Sequence, residues 1–414
     1  MTRDKPRQGT FMSQSRISQT EFIALMAMLM ATIAFSIDAM LPALTTMGAT
    51  LSPAAPDRAA LVITAFVGGM GVGTLFTGPL SDAFGRRPVM FWTCGLFAIA
   101  AAIAGMAQSL EALLVARFVQ GVGAAGPRVV AMAIIRDRYK GREMARLVSF
   151  VMVVFSLVPV FAPTLGAGII ALTGWRGIFA AFVVFAALAA LWLYLRQPET
   201  LLPGSERPFR PRLIWEGLCE MWAIPMVRLS ILTQTLAFGM LFGMLSSVQL
   251  VFDQTFGRGD TFHLWFGFVA LISSSSGFLN AAVVRRFGMR AIIMVMFAVT
   301  GTLSFCFVLI WPSLPPTLQF AGFVALQVVI FFQAGMTLGN LNALGLEPLG
   351  HIAGLAASVI SGLSTIGAAL IAAPLGLAFD GTPLPLATGL CVLALICFAL
   401  TLRMRRLERV ARHV

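Results

Sequence analysis

The sequence predicts an all-α membrane protein whose twelve transmembrane helices form two pseudo-symmetric six-helix bundles. Three observations carry that prediction. Of the 414 residues, 58% are apolar and only 11% charged, whereas charged residues make up about a quarter of a soluble domain. Apolar runs of roughly 18 to 25 residues, long enough to cross a hydrocarbon core of about 30 Å as helices, follow one another along almost the whole chain. Runs of that length exclude barrel strands. The one long polar interval falls near the middle, at residues 197–225, where Pro198, Pro203, Pro208 and Pro211 mix with Glu199, Glu206, Arg207, Arg210 and Arg212.

Taken in order, a polar segment (1–19) precedes spans at 20–42, 58–82, 88–107, 110–133, 146–171 and 177–196, which form the first bundle (20–196). After the linker (197–225), spans at 226–250, 262–284, 290–311, 317–340, 351–378 and 384–402 form the second (226–402), and a basic tail (403–414) follows. The first apolar run is full length and lacks a small-residue cleavage pattern, so it is expected to stay in the chain. Of the 29 Lys and Arg, 24 fall on one side of this map; Arg58, Arg176 and Arg258 fall on the other. Basic residues in short loops stay cytoplasmic, so both termini are predicted inside the cell. The net charge of +12 then belongs to helix ends that meet anionic headgroups, and no nucleic-acid partner is expected. The halves echo each other: Ala83-Phe84-Gly85-Arg86-Arg87 between spans two and three has a worn copy in Arg285-Arg286-Phe287-Gly288-Met289-Arg290 between spans eight and nine.

Within span one, Asp38 lies three or four residues inside the end, where a carboxylate is costly unless it faces a cavity or a partner. Its hold on a proton can then respond to its surroundings; the plainer reading is a helix-end acid beside Pro42. Gly78 and Gly85 permit close approach and a sharp turn around Asp82, Arg86 and Arg87. In span four Arg117 sits about 10 Å inward, at a depth expected to meet Asp38, and Gln120, Ala124 and Arg128 share its helical face. Pro159 and Pro163 should bend span five. The second half has no acid well inside a span. Its polar positions include Gln234, Gln327 and Gln333, which suit ligand contact by hydrogen bonding or, more commonly, helix pairing. Met40 and other methionines add deformable apolar surface. The five cysteines are scattered and read as apolar filler. His263 and His351 fall at loop edges on opposite faces, and nothing assembles a catalytic site or a metal site.

The run Gly78-Pro79-Leu80-Ser81-Asp82-Ala83-Phe84-Gly85-Arg86-Arg87-Pro88 resembles the loop between helices 2 and 3 of the major facilitator superfamily. Leu114-Val115-Ala116-Arg117-Phe118-Val119-Gln120-Gly121-Val122-Gly123 resembles the span-four motif of its drug:proton antiporters. Ser36-Ile37-Asp38-Ala39-Met40-Leu41-Pro42, Ile135-Arg136-Asp137, Ala162-Pro163-Thr164-Leu165-Gly166, Gly174-Trp175-Arg176-Gly177-Ile178-Phe179 and Glu347-Pro348-Leu349-Gly350-His351 are similar to the bicyclomycin/chloramphenicol-resistance (Bcr/CflA) branch. Ala167 stands where the antiporter motif of span five usually has its last Gly, which puts the helix contact there in question. The resemblance implies a monomeric transporter of the bacterial inner membrane that exchanges mostly apolar or cationic drug-like molecules for protons. No cofactor is implied beyond the proton gradient. It implies Asp38 and Arg117 in proton coupling, and a gate in which Asp82, Arg86 and Asp137 hold helix ends together, with Asp82 facing a helix N-terminus of the opposite half. Pro163 and Gly166 would shape the conformational cycle. Export of an endogenous metabolite and a non-transporting sensor are the alternatives.

Overall fold

The computed structural model describes residues 17–202, 204 and 211–412, and the protein is helical throughout with no strand among them. The helices are α1 (Gln19–Asp38), α2 (Leu44–Leu51), α3 (Leu61–Phe84), α4 (Arg86–Gly105), α5 (Leu110–Arg138), α6 (Gly141–Thr173), α7 (Gly177–Arg196), α8 (Pro211–Ala223), α9 (Pro225–Leu250), α10 (Phe262–Phe287), α11 (Met289–Ile310), α12 (Pro316–Leu346), α13 (Ala353–Leu377) and α14 (Leu384–Arg412). Eleven stretches are long and apolar enough to cross a membrane, and one of them, Pro316–Leu377, holds both α12 and α13 around the 3-10 turn Glu347–Ile352. Twelve spans result: α1 with α2, α3 to α7, and α9 to α14.

Several boundaries differ from expectation, three of them as follows. The central interval, expected as a polar connection, contains α8, whose Leu218 and Met221 pack with Val227, Ile231, Leu349 and Val359 at the ends of α9 and α13. Span twelve does not stop at 402 but continues as α14 to Arg412. Span ten runs on to Leu346. Residues 1–16 of the predicted polar segment (1–19), residues 203 and 205–210 of the predicted linker and the end of the tail lie outside the described residues.

Short connections gather most of the arginines at one end of the bundle, the basic end. Gly85 (φ 97°) and Gly288 (φ 79°) each turn the chain between two antiparallel helices there, in a backbone conformation that side chains with a Cβ resist. Among helices in lipid, small residues allow backbones to meet. Gly121 of α5 lies against the Phe66 carbonyl of α3, Gly123 and Gly126 lie against Phe97 and Thr93 of α4, and a methyl group on any of them would collide with its neighbour. Across the seam between the halves, a methyl on Gly71 of α3 would come within 2.7 Å of the Ile366 nitrogen of α13, and Gly78 faces Ser358. Gly267 of α10 lies against the Val160 carbonyl of α6, which forms a second contact between halves. Gln254 and Asp57 bridge the end opposite the arginines at 3.4 Å.

Candidate functional site

The interior site begins where α1 stops. Pro42 has no N–H, so the Asp38 carbonyl loses the donor that a continuing helix would supply, and the chain passes through the 3-10 turn Leu41–Ala43 before resuming as α2. The Asp38 side chain is left at this break, 5% exposed. No hydrogen bond or ion pair reaches it from any described residue. Ala39, the next residue, touches α6: Gly166 packs on its carbonyl so closely that a methyl would overlap it. The contact placed in question by Ala167 is thus made through Gly166, three residues beyond Pro163.

Arg117 is fully buried and does not pair with Asp38, contrary to expectation. Its Nη2 donates to the Ser36 carbonyl of α1 at 3.2 Å, and its Nη1 donates to Gln120 Oε1 at 2.7 Å. The guanidinium lies over the Phe66 ring, 4.2 Å from its centre. One α-helical turn is enough to direct two side chains of similar depth to different partners, and residue counting fixes depth but not azimuth. Arg117 Nε, Gln120 Nε2 and Ser36 Oγ remain without partners. Farther along the same stripe, Arg128 is half-buried and no described residue bonds to it.

The second half contributes neutral groups. Gln234 of α9 and Gln327 of α12 are buried, with Gln234 Oε1 and both amide atoms of Gln327 unpartnered. Gln333 Nε2 donates to Thr337 Oγ1 at 2.6 Å, and Asn340 joins α12 to Asn280 of α10 at 2.8 Å. Met40 is fully buried, so as it stands it offers no open surface to a ligand.

The basic end is wired differently. Arg86 Nε donates to Asp137 Oδ2 at 3.0 Å, and Nη1 donates to Ser81 Oγ at 2.7 Å and to Asp82 Oδ1. This guanidinium thus ties the ends of α3, α4 and α5 together. Among the described residues Asp82 accepts only from Arg86, and no hydrogen bond carries it to the opposite half, where a helix N-terminus was expected; it is Gly78 that faces Ser358 of α13. The Arg87 side chain bonds no acid among the described residues. Its Nη2 donates to the Tyr194 carbonyl at 2.9 Å and its guanidinium lies over the Tyr194 ring.

Sequence reasoning treated Glu199 as linker charge, yet it completes this network. Gly85 supplies no side-chain cap for α4, and the Glu199 carboxylate accepts from the backbone N–H of Arg86 at 3.0 Å and Arg87 at 2.9 Å. A carboxylate at a helix N-terminus meets free N–H groups and the positive end of the dipole. Burial works against its charge, but donation from Leu201, Arg87, Arg86 and Thr200 outweighs it and holds the carboxyl below the ordinary range. The visible signal was the acid in Pro198-Glu199-Thr200 just past a span whose neighbour helix starts uncapped. Thr200 also donates to Asp137 at 3.1 Å. Nearby, Arg196 grips Glu21 through two bonds of 2.6 and 2.7 Å, locking span six to span one. The second half carries a looser counterpart: Arg290, two residues past Gly288, lies 2.9 Å from Glu408 and 4.0 Å from Glu347.

Comparison with known proteins agrees with this architecture. Residues 23–372 match the family model described as Major Facilitator Superfamily. The chain is 26% identical over 364 residues to a bicyclomycin resistance protein homolog of Haemophilus influenzae, covering 86% of this chain and 90% of that one. It is 27% identical over 328 residues to the multidrug resistance protein MdtL of Klebsiella pneumoniae, covering 77% and 79%. The xylose transporter XylE from E. coli, in a partially occluded inward-open conformation, superposes with a TM-score of 0.72 at 14% identity, over 94% of this chain and 99% of XylE, a likeness of fold. Twelve spans in two halves and a family match over most of the chain lead to one conclusion: the protein belongs to the major facilitator superfamily and is a multi-pass membrane transporter.

Proposed function

We propose that the protein is a proton-coupled efflux transporter that exports mostly apolar, drug-like small molecules from the bacterial cytoplasm across the inner membrane by alternating access. The observation that carries this reading is the Asp38 carboxylate, buried at the break of span one with no hydrogen bond or ion pair from any described residue. A structural acid buried in a membrane protein is ordinarily paired, whereas an acid that exchanges protons has to be left to a mobile partner. In this reading Asp38 takes up a proton from the periplasmic side as cargo leaves and gives it up to the cytoplasm as the next cargo loads. Arg117 holds the Ser36 carbonyl of α1, two residues before Asp38, and keeps the polar pocket of α1 and α5 in register.

The basic end is the cytoplasmic end, in keeping with the bias of 24 among 29 basic residues, and both termini face the cytoplasm. There Asp82, Arg86 and Asp137, with Glu199, latch the ends of α3, α4 and α5 while the halves tilt, and Gly78 sits at the seam. Pro163 and Gly166 let α6 follow the tilt. One charge crossing 100 mV supplies about 2.3 kcal/mol before any pH gradient is added. The test is the purified protein in liposomes, facing an imposed pH gradient and a panel of resistance-type compounds. Gradient-driven movement of a compound that vanishes in Asp38→Asn is expected. Undiminished, gradient-dependent movement in that variant would sink the reading.

A further inference from the structure

The linker helix α8 carries two tryptophans that the protein leaves uncovered. Trp215 is 67% and Trp222 52% exposed, and Cys219 between them is exposed as well. Spaced four and three residues apart, the three positions form one stripe along the helix. The packed face is a different one: Gly217 and Met221 are buried, and Leu218 and Met221 join the apolar cluster at the ends of α9 and α13. A third face is charged. Arg212 donates to Glu216 at 2.8 Å, and Glu220 lies 2.8 Å from His351 in the turn Glu347–Ile352. At 3.6 residues per turn, the tryptophan stripe falls between the packed face and the charged face.

The helix lies across the span ends and not along them. A methyl on Gly217 would collide with Leu355, the third residue of α13. Four residues on, Met221 clusters with Val227, the third residue of α9. Both contacts are made in the first turn of a span, so the axis of α8 runs from one span entrance toward the other. The chain then enters α9 at Pro225, three residues after Trp222 and therefore no more than about 10 Å from it. A helix at that depth has three neighbours to meet, namely the bundle, the water beyond the basic end and the surface of the bilayer. Packed and charged faces answer the first two.

We propose that α8 is an interfacial helix whose Trp215, Cys219 and Trp222 stripe rests in the headgroup layer at the basic end of the bundle, its partner being the lipid surface. Indole suits that layer, because its broad apolar body enters the acyl boundary while its N–H stays with polar groups. The helix carries one basic and two acidic residues, so insertion of the indoles, and not attraction to anionic headgroups, holds it there. That sets it apart from surface helices rich in Lys and Arg. Through its packing and the Glu220 contact with His351, α8 fixes the entrances of α9 and α13 at one depth. The inference needs only the membrane-spanning fold and is independent of the efflux reading.

The test places a nitroxide on Cys219 of the full-length protein, with Cys306→Ser removing the other exposed thiol; Cys94, Cys391 and Cys397 are buried. The labelled protein is reconstituted in nanodiscs of phosphatidylcholine alone and in nanodiscs that also contain phosphatidylglycerol. Power saturation then compares collisions with oxygen, which concentrates in lipid, and with a nickel chelate, which stays in water. Oxygen is expected to dominate in both lipids, with the label about 5–10 Å inside the headgroup surface. Trp215→Ser combined with Trp222→Ser should shift it outward, toward the nickel chelate. A label reached mainly by nickel overturns the inference, as does one shielded from both reagents, the signature of a second copy or of the first half covering the stripe. Lipid contact that requires phosphatidylglycerol, or a depth unchanged in the tryptophan variant, overturns the role of the indoles.

Discussion

Two sets of charges sit in the first half, and they differ in whether the protein answers them. At the basic end Arg86 is met by Asp82, Asp137 and Ser81, Glu199 is met by backbone donors of α4, and Arg196 is met by Glu21. In the interior, no described residue bonds to Asp38 or Arg128, and among the described residues Arg117 is met only by neutral acceptors. Desolvation penalises both sets, but only the interior one is left uncompensated. The paired set ties helix ends together, and under the proposed function the unpaired set is left for partners that arrive and leave.

That contrast can be broken by experiment. The largest effect should come from Asp38→Asn: gradient-driven transport is lost, while the melting temperature rises, because the variant replaces an uncompensated buried acid with a neutral group, a gain of about 1–3 kcal/mol. A fall in melting temperature would mean that Asp38 has a structural partner in the folded protein. Arg86→Ala should do the reverse, lowering stability by about 3 kcal/mol because it strands two acids near the seam, and slowing transport while substrate affinity holds; thermal unfolding and initial rates check both.

Glu199→Gln should cost about 1 kcal/mol at neutral pH through the weakened helix cap. Its carboxyl is held below the ordinary 4.5, so the contribution is fully present above that value and is lost as pH falls through the lowered one. The stability difference between wild type and Glu199→Gln is therefore expected to shrink on moving from pH 7 to about pH 3, and a difference that grows on acidification would contradict the assignment. The smallest effect belongs to Arg290→Ala, whose looser pairs predict a loss below about 1 kcal/mol. A loss equal to that of Arg86→Ala would make the two loops functional equals.

The sequence made the spans legible because run length and charge placement are one-dimensional signals. The Asp82, Arg86 and Asp137 group was legible too, through the glycine-flanked loop and the resemblance it carries. What escaped was whatever depends on azimuth or on distant contact. Arg117 and Asp38 were placed at one depth and expected to meet, but helix rotation sends Arg117 to the Ser36 carbonyl. Glu199 caps a helix that begins 113 residues earlier, and local sequence says nothing of such a meeting. The helix α8 was hidden by its length: thirteen residues are too few to span a bilayer, and the prolines and charges around it read as linker.

The contacts of α6 have a mechanical consequence. One of its carbonyls, at Val160, bears on Gly267 of the opposite half, and six residues later Gly166 bears on the peptide adjoining Asp38. Pro159 lies just before that stretch and Pro163 within it, and each frees one carbonyl from the helix ladder. Under the proposed function, α6 would act as a lever with its fulcrum at the prolines. A rocking stroke of the second half would then reach the backbone that carries Asp38, so that the acid is tipped by the motion of its surroundings and need not swing on its own side chain.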